Sequence, residues 1–287
     1  MTAVAWQGWK LDLPEGWNPV RLVGDFHKGQ ALFVDLERPR LGLRWETLRS
    51  LRADPGKAIE QAFNQEVGQL ASQEVRDQAI AGADWDISRL YVEPEPPGRN
   101  VWIGFSRGSN RLLQIVQHVQ RRENLLVDAI LPALADSDPA VATPWSIFEL
   151  SCIAPAGMQL RSQRLLAGDL SLTFADKHGW LTVRQVAVAE LALARMKLER
   201  WLANQQELQR THYVCDGPPT DARTTSAGLV ARSRRRWRFF WNRRLPLELI
   251  TYALHDKGRD RLVLLEGADD ALIKLAANSV GWAQRNS

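Results

Sequence analysis

The sequence predicts an α+β protein made of two tandem copies of an antiparallel sheet flanked by helices. Three observations predict it. Segments of the first half recur, in the same order, in the second. Within each half, short runs of alternating large apolar residues surround one segment of helical periodicity. Each half then reaches a Gly-containing hairpin turn followed by a second helical segment, an order of strands and helices that belongs to the α+β class.

The repeat is legible at three places. "WQGWKLDLPEGW" from Trp6 resembles "WSIFELSCIAPAGM" from Trp145, with Trp6, Trp9 and Leu11 on Trp145, Phe148 and Leu150. After a two-residue insertion, Pro14 and Gly16 fall on Pro155 and Gly157. "LFVDLERPRLGLR" from Leu32 lies on "LTFADKHGWLTVR" from Leu172 at a shift of 140. At a shift of 150, "PPGRNVWIGFSRGSNRL" from Pro96 lies without gaps on "PLELITYALHDKGRDRL" from Pro246. The expected modules are 1–140 and 141–287, joined near "ADSDPAVATP".

Each element has its own reason. Trp9, Leu11 and Leu13 alternate and are stopped by Pro14-x-Gly16, which reads as a strand ending in a turn. "QALFVDLE" and "RLGLRW" read as two further strands, with Arg38-Pro39 as their turn. Asp54-Pro55 offers an N-cap and a first-turn proline, and Ile59, Phe63 and Val67 follow at helical spacing. The second copy's counterpart is the stripe Val188, Leu191, Ala194, Arg195, Leu198, Trp201 and Leu202, read as one long helix. Three strands come next, the last two turning at Gly108-Ser109-Asn110 or at Gly258-Arg259-Asp260. The closing helices are "NLLVDAILPAL", which contains Pro132, and "DDALIKLAANSVGW".

The first copy opens on Gly8-Trp9-Lys10-Leu11, continues through Leu13-Pro14-Glu15-Gly16-Trp17-Asn18-Pro19, and reaches Gly29-Gln30-Ala31-Leu32-Phe33-Val34-Asp35. In these residues it resembles the Mog1/PsbP-like family, over roughly the first 45 positions. The second copy keeps only Pro155, Gly157 and the apolar pattern. The resemblance implies an α-β-α sandwich and a non-catalytic adaptor or assembly factor. It marks Pro14, Gly16 and Trp17 as the family-motif site, whose plainer role is to pack the first turn.

Composition bounds the function. The chain has 287 residues, 45% hydrophobic and 24% charged, the balance of a globular protein with room for two modules. Met1–Lys10 has neither a basic n-region nor an apolar h-region, so no secretory leader is expected. No window approaches an apolar membrane span. Cys152 and Cys215 make no disulfide framework, and a reducing cytoplasm is the expected compartment. The net charge of +4 is unevenly divided. Met1–Thr143 holds 16 Lys and Arg against 19 Asp and Glu, a balance of −3, and the remainder holds 21 against 14, a balance of +7. Such asymmetry fits a polyanion-binding half or two halves that face each other.

Catalytic motifs are not evident. GxGxxG, GxxxxGK[ST], HExxH and GxSxG do not occur. His212-x-x-Cys215 with Cys152 and His178 is a scattered four-ligand set, weighed against buried structural thiols and set below them. His27, His118 and His255 have no partner pattern, and His255 is expected in solvent. Asp84, Asp86, Glu93 and Glu95 form an acidic cluster that would suit acid–base work or a hard cation, with a solvated strand face as the plainer reading. No cofactor is expected.

The stretch "RSRRRWRFFWNRRL", Arg232–Leu245, has seven arginines in fourteen residues. As a helix it would split its aromatics; as a strand it sets Ser233, Arg235, Trp237, Phe239 and Trp241 on one face and Arg232, Arg234, Arg236 and Arg238 on the other. At the shift of 150, Trp237, Phe239 and Trp241 fall on Ile87, Arg89 and Tyr91, so the aromatics are expected to line the core. Asp84 and Asp86 then fall on Arg234 and Arg236, and Glu93 on Arg243. Three readings follow. The two copies, or two chains, pair through these opposite charges. Or Arg232, Arg234, Arg236, Arg238, Arg243 and Arg244 bind a polyanion. Or the arginines are solvated and guard a sheet edge.

The function expected from the sequence is a non-enzymatic adaptor or assembly protein with an unidentified protein partner. Polyanion binding, nucleic acid included, through the arginine-rich strand is the alternative. An enzyme of unrecognised type stands third.

Overall fold

The structure is a computed structural model. It describes residues 1–281 except 37, 49–53, 69–84, 94, 122, 124, 139, 178, 208–211, 222–227 and 238–245. The chain divides into two compact units, chiefly Met1–Phe148 and Glu149–Trp282.

In the first unit, β1 (Thr2–Trp6) and β2 (Trp9–Leu13) form a hairpin across Gln7-Gly8. Three meandering strands follow, β3 (Trp17–Gly24), β4 (Lys28–Asp35) and β5 (Arg38–Thr47). Helix α1 (Pro55–Val67) leads to β6 (Ile87–Tyr91), β7 (Gly98–Ser106) and β8 (Arg111–Val119). Two short strands close the unit, β9 (Ala135–Asp136) and β10 (Thr143–Ile147). The main sheet is fully antiparallel in the order β3-β4-β5-β8-β7-β6. The small sheet runs β10-β1-β2-β9. Trp9 of β2 packs on Phe33 and Trp45, with ring centroids 6.4 and 5.8 Å away, and so joins the small sheet to one face of the large one. On the other face, Ile59, Phe63 and Val67 of α1 pack against Tyr91, Val101, Ile103 and Phe105.

The second unit contains β11 (Leu150–Ala154), β12 (Gln159–Leu166), β13 (Asp169–Ala175) and β14 (Trp180–Ala187). Helices α2 (Ala189–Leu193) and α3 (Leu198–Glu207) follow. Then come β15 (Tyr213–Cys215), β16 (Thr220–Asp221), β17 (Gly228–Arg235), β18 (Glu248–Asp256), β19 (Arg261–Gly267) and α4 (Asp270–Ser279). The sheet order is β12-β13-β14-β19-β18-β17-β15, with β16 also on β17. Its first six strands repeat the order of the first unit. Trp201 and Leu202 of α3 pack on Leu229, Ala231, Ala253, Leu262 and Leu264.

Local chemistry explains several elements directly. Asp54 caps α1, its carboxylate accepting from the Gly56 N–H at 2.9 Å with Pro55 in the first turn. Asp269 caps α4 in the same way. The β7–β8 and β18–β19 hairpins coincide at the shift of 150, and Asn110 and Asp260 take the same left-handed conformation, φ 55° and 52°. Asn and Asp tolerate that region better than most side chains.

The predicted class is corrected. Strand makes up 52% of the described residues and helix 19%, arranged as three antiparallel sheets with few helices. The protein is β-rich, not an α+β or α-β-α sandwich with flanking helices. The reasons are local. Among the described residues of "NLLVDAILPAL", the helix is the five-residue π-helical segment Leu126–Ile130, and Pro132 has no N–H to continue it. The stripe from Val188 breaks into α2 and α3, leaving Val188 and Leu191 exposed. The opening strand is one arm of a hairpin that starts a third sheet. The first unit also takes in Thr143–Ile147, where β10 pairs with β1 and Trp145 meets Trp6 edge-on at 4.9 Å. The β4–β5 turn lies at Leu36, φ 54°, and Arg38-Pro39 begins β5.

Two registers also change. Buried Ala31 and Phe33 match buried Leu172 and Phe174, a shift of 141, while Leu41 and Leu43 match Leu181 and Val183 at 140. The shift of 141 extends back to Gln7 and Phe148, φ 49° and 53°, and removes the two-residue insertion. A one-residue slip would turn every side chain to the wrong face.

Candidate functional site

Helix α1 packs chiefly on β6 and β7, so the same face of β3, β4 and β5 is left open. A cleft of about 490 Å³ lies there, with an adjoining one of about 310 Å³, and both are lined by Gln30, Arg44 and Gln114. Strand alternation decides which residues line them. Leu41, Leu43 and Trp45 of β5 are buried on the other face, so Gly42 and Arg44 point to the open one. In β8, Leu113 and Ile115 are buried and Gln114, Val116 and His118 face the cleft. Gly42 leaves open floor, since a Cβ there would meet only the Val116 carbonyl oxygen at 3.9 Å.

The charges converge on one carboxylate. Arg44 Nη1 lies 3.0 Å from Glu66 Oε1, and Arg99 Nη1 lies 4.0 Å from Glu66 Oε2. Arg99 Nη2 also donates to the Glu66 backbone carbonyl at 3.2 Å. The Arg44 and Arg99 side chains are 64% and 46% exposed, while that of Glu66 is 19% exposed. Gln114 Nε2 is buried with no hydrogen-bond partner among the described residues. Burial, and secondarily the charge of Arg99, hold His118 below the ordinary imidazole value.

The second unit treats the equivalent face differently. Arg184 stands where Arg44 does and forms a two-point pair with Asp169, Nε to Oδ1 at 2.7 Å and Nη2 to Oδ2 at 3.1 Å. It also donates to Gln205 Oε1 of α3 at 3.1 Å. This pairing holds Asp169 below the usual carboxylate range. Leu264 occupies the position of Gln114 and lies in the apolar core beneath Trp201 and Leu202. The polar, open character of the first unit's face is therefore not a requirement of the shared sheet.

Of the arginine-rich stretch, Arg232–Arg235 end β17, and Arg236 and Trp237 follow it. β6 pairs Leu90 with Trp102, and β17 pairs Val230 with Tyr252, so β6 and β17 correspond at a shift of 140 while β7 and β18 correspond at 150. The ten additional residues fall between Ala231 and Glu248, the span that also holds the arginine-rich run. The correspondence of Asp84 and Asp86 with Arg234 and Arg236 therefore does not hold. Alternation is as expected through Arg234, with Ser233 buried and Arg232 and Arg234 exposed. Arg232 pairs with Asp270 at 3.1 Å and Arg234 with Asp216 at 2.9 Å. Arg236 Nε donates to the Tyr213 carbonyl at 3.4 Å. Trp237, expected in the core, is 87% exposed. Arg238, Phe239, Trp241, Arg243 and Arg244 lie outside the described residues.

Among the described acidic residues, Asp86, Glu93 and Glu95 make no group placed to hold a metal ion. Asp84 lies outside the described residues. Asp86 accepts from the Arg107 N–H at 2.7 Å, Glu93 accepts from the Tyr91 hydroxyl at 3.2 Å, and Glu95 is exposed. Pro14, Gly16 and Trp17 build a turn, closed by the Trp17 N–H to the Pro14 carbonyl at 3.2 Å with Gly16 at φ 86°. Pro155, Gly157 and Met158 repeat it, at 3.2 Å and φ 78°. Cys152 is fully buried and Cys215 exposed, and His178 lies outside the described residues. His255, expected in solvent, is half-buried. Among the described residues, no group of three or more His, Cys, Asp or Glu is placed to hold a metal ion, and no helix is long and apolar enough to cross a membrane.

Sequence reasoning missed the cleft. Its one usable signal was that Arg44 and Arg184 end the aligned sequence segments of the two copies. No family model matches the chain, and no curated protein matches it.

Proposed function

We propose that the chain is a non-enzymatic binding protein, an adaptor built from two related β-rich modules, and that the open cleft of the first module is its recognition surface. One observation carries the reading. The first module keeps a polar, open face at Gly42, Arg44 and Gln114, where the second covers the equivalent β19 position with Trp201 and Leu202. A specific side-chain set that the fold does not need is a mark of recognition rather than packing. The partner is a protein, and neither a cofactor nor a reaction is part of the reading.

The test is a Gly42→Trp variant of the full chain, which fills the cleft floor from a position with room for a side chain. Proteins retained from host extract by the wild type are expected to be lost by the variant at unchanged thermal midpoint. Retention of the same set at equal strength overturns the proposal.

A second reading is favoured by Trp237, 87% exposed, beside Arg232, Arg234 and Arg236 at the end of β17. A basic strand end with an exposed aromatic suits a polyanion. Heparin retention that is unchanged by Arg234→Glu with Arg236→Glu sinks that reading.

A further inference from the structure

We infer that the cleft of the first unit takes a carboxylate of an acidic peptide segment, and that Glu66 holds that position until the segment displaces it. This rests on the reading of the cleft as a recognition surface. Arg44 and Arg99 come from different strands, β5 and β7, yet both reach the Glu66 carboxylate, at 3.0 and 4.0 Å. Two guanidinium groups aimed at one point are a carboxylate site, and Glu66 of α1 stands in for the ligand's oxygens. The pair is replaceable because both arginines are well exposed, and exposed ion pairs are weak. A ligand carboxylate therefore exchanges for Glu66 at little cost.

A second, independent observation points to the same ligand. Gln114 Nε2 is a buried donor without a partner among the described residues, and Gln114 lines both parts of the cleft that Arg44 lines. An unmet buried donor is costly, and an acceptor oxygen from outside would meet it. Charge supports an acidic segment: Arg21, Lys28, Arg44 and Arg99 line the cleft against Glu46 and Glu66. The two glutamates disfavour the dense charge of a nucleic-acid backbone more than the spaced charges of a peptide. The two adjoining parts, about 490 and 310 Å³, give room for a chain segment rather than a single ion. The second unit shows the same arginine with its carboxylate built in, as the two-point pair of Arg184 with Asp169. There the position is filled permanently from β13, next to β14 in the sheet, whereas in the first unit it is filled from a helix residue by single-oxygen contacts.

The experiment is fluorescence anisotropy on the full chain with three labelled probes: a decapeptide of alternating glutamate and serine, its glutamine counterpart, and a ten-nucleotide single strand. The glutamate peptide is expected to bind and the glutamine peptide not to. Glu66→Gln should tighten glutamate-peptide binding by about two- to fivefold, the range expected from removing a weak exposed pair. Arg44→Gln should weaken it by about tenfold or more, as the loss of a charge-assisted contact does. Both sites are on the surface, and matching thermal midpoints verify the fold. Peptide binding that is unchanged or weakened by Glu66→Gln overturns the displacement but leaves the recognition surface standing. Absence of binding in every variant, with partner capture still abolished by Gly42→Trp, overturns the acidic-peptide chemistry alone. Tighter binding of the oligonucleotide than the peptide, lost with Arg44→Gln, overturns it in favour of a polyanion.

Discussion

Arg111 and Asp136 form a two-point ion pair, and neither side chain is exposed to solvent at all. Arg111 begins β8 and Asp136 ends β9, so the pair fixes the small sheet to the last hairpin of the large one. Arg111 Nη1 also donates to the Phe26 carbonyl at 2.9 Å and to the Gln7 carbonyl at 2.6 Å, and the Ser109 hydroxyl donates to Asp136. Burial lowers the Arg111 guanidinium to about 9, which leaves it charged at neutral pH. Arg111→Met strands a buried carboxylate, and a loss of about 3–5 kcal/mol is expected in urea denaturation. Adding Asp136→Leu should recover part of it. A single-variant loss below about 1 kcal/mol would place the pair among weak surface contacts instead.

The thiols should separate by reactivity. Cys152 is fully buried, and burial pushes its thiol up to about 12. Cys215 is exposed. A thiol-specific chromogenic disulfide at pH 8 should report one group at once and the second only in denaturant. Two fast groups would mean that β11 is not packed as described.

Stability should depend on His118. Its folded value lies below 6.5, so in the window just under 6.5 the folded chain binds fewer protons than the unfolded one. Stability is therefore full above about 6.5 and falls as pH drops toward the lower folded value. The groups sharing the cleft with His118 are Arg99 on β7, Arg21 on β3, Arg44 on β5 and Glu66 on α1. His118→Gln should flatten the decline in a urea series from pH 7.5 to 5. Arg99→Gln should move the His118 titration upward in NMR, and a titration that stays put removes Arg99 as a cause.

Val188 is a β-branched residue in the left-handed region, φ 60° and ψ 49°, with its side chain 52% exposed. That conformation costs a branched side chain about 1–2 kcal/mol. Val188→Asn should raise the thermal midpoint, as a gain of about 1 kcal/mol would. A lowered midpoint would show that Val188 contributes packing that its exposure hides.

Much of the strand pattern was legible because its cause is local. Trp9, Leu11 and Leu13 alternate, and all three are buried. Asp54-Pro55 caps α1, and Ile59, Phe63 and Val67 form its buried face. The Gly108 and Gly258 turns fall where the two hairpins turn. The cleft was not legible, because its parts come from separate stretches: Arg44 and Glu66 are 22 residues apart, and Gln114 sits on another strand. The arginine-rich run was misread for a related reason. Its alignment borrowed the offset of β7 and β18, and ten additional residues between β17 and β18 broke it.

The sequence by itself determined the alternating strands and the capped start of α1, since each depends on neighbours a few residues away. Tertiary structure decided the β-rich class, the registers of β4 and β17, and which sheet face stays open. Alternation divides a strand into two faces, but only the landing place of α1 or α3 says which face is covered. That choice left Arg44 beside a displaceable Glu66 in one unit, and tied Arg184 to Asp169 in the other.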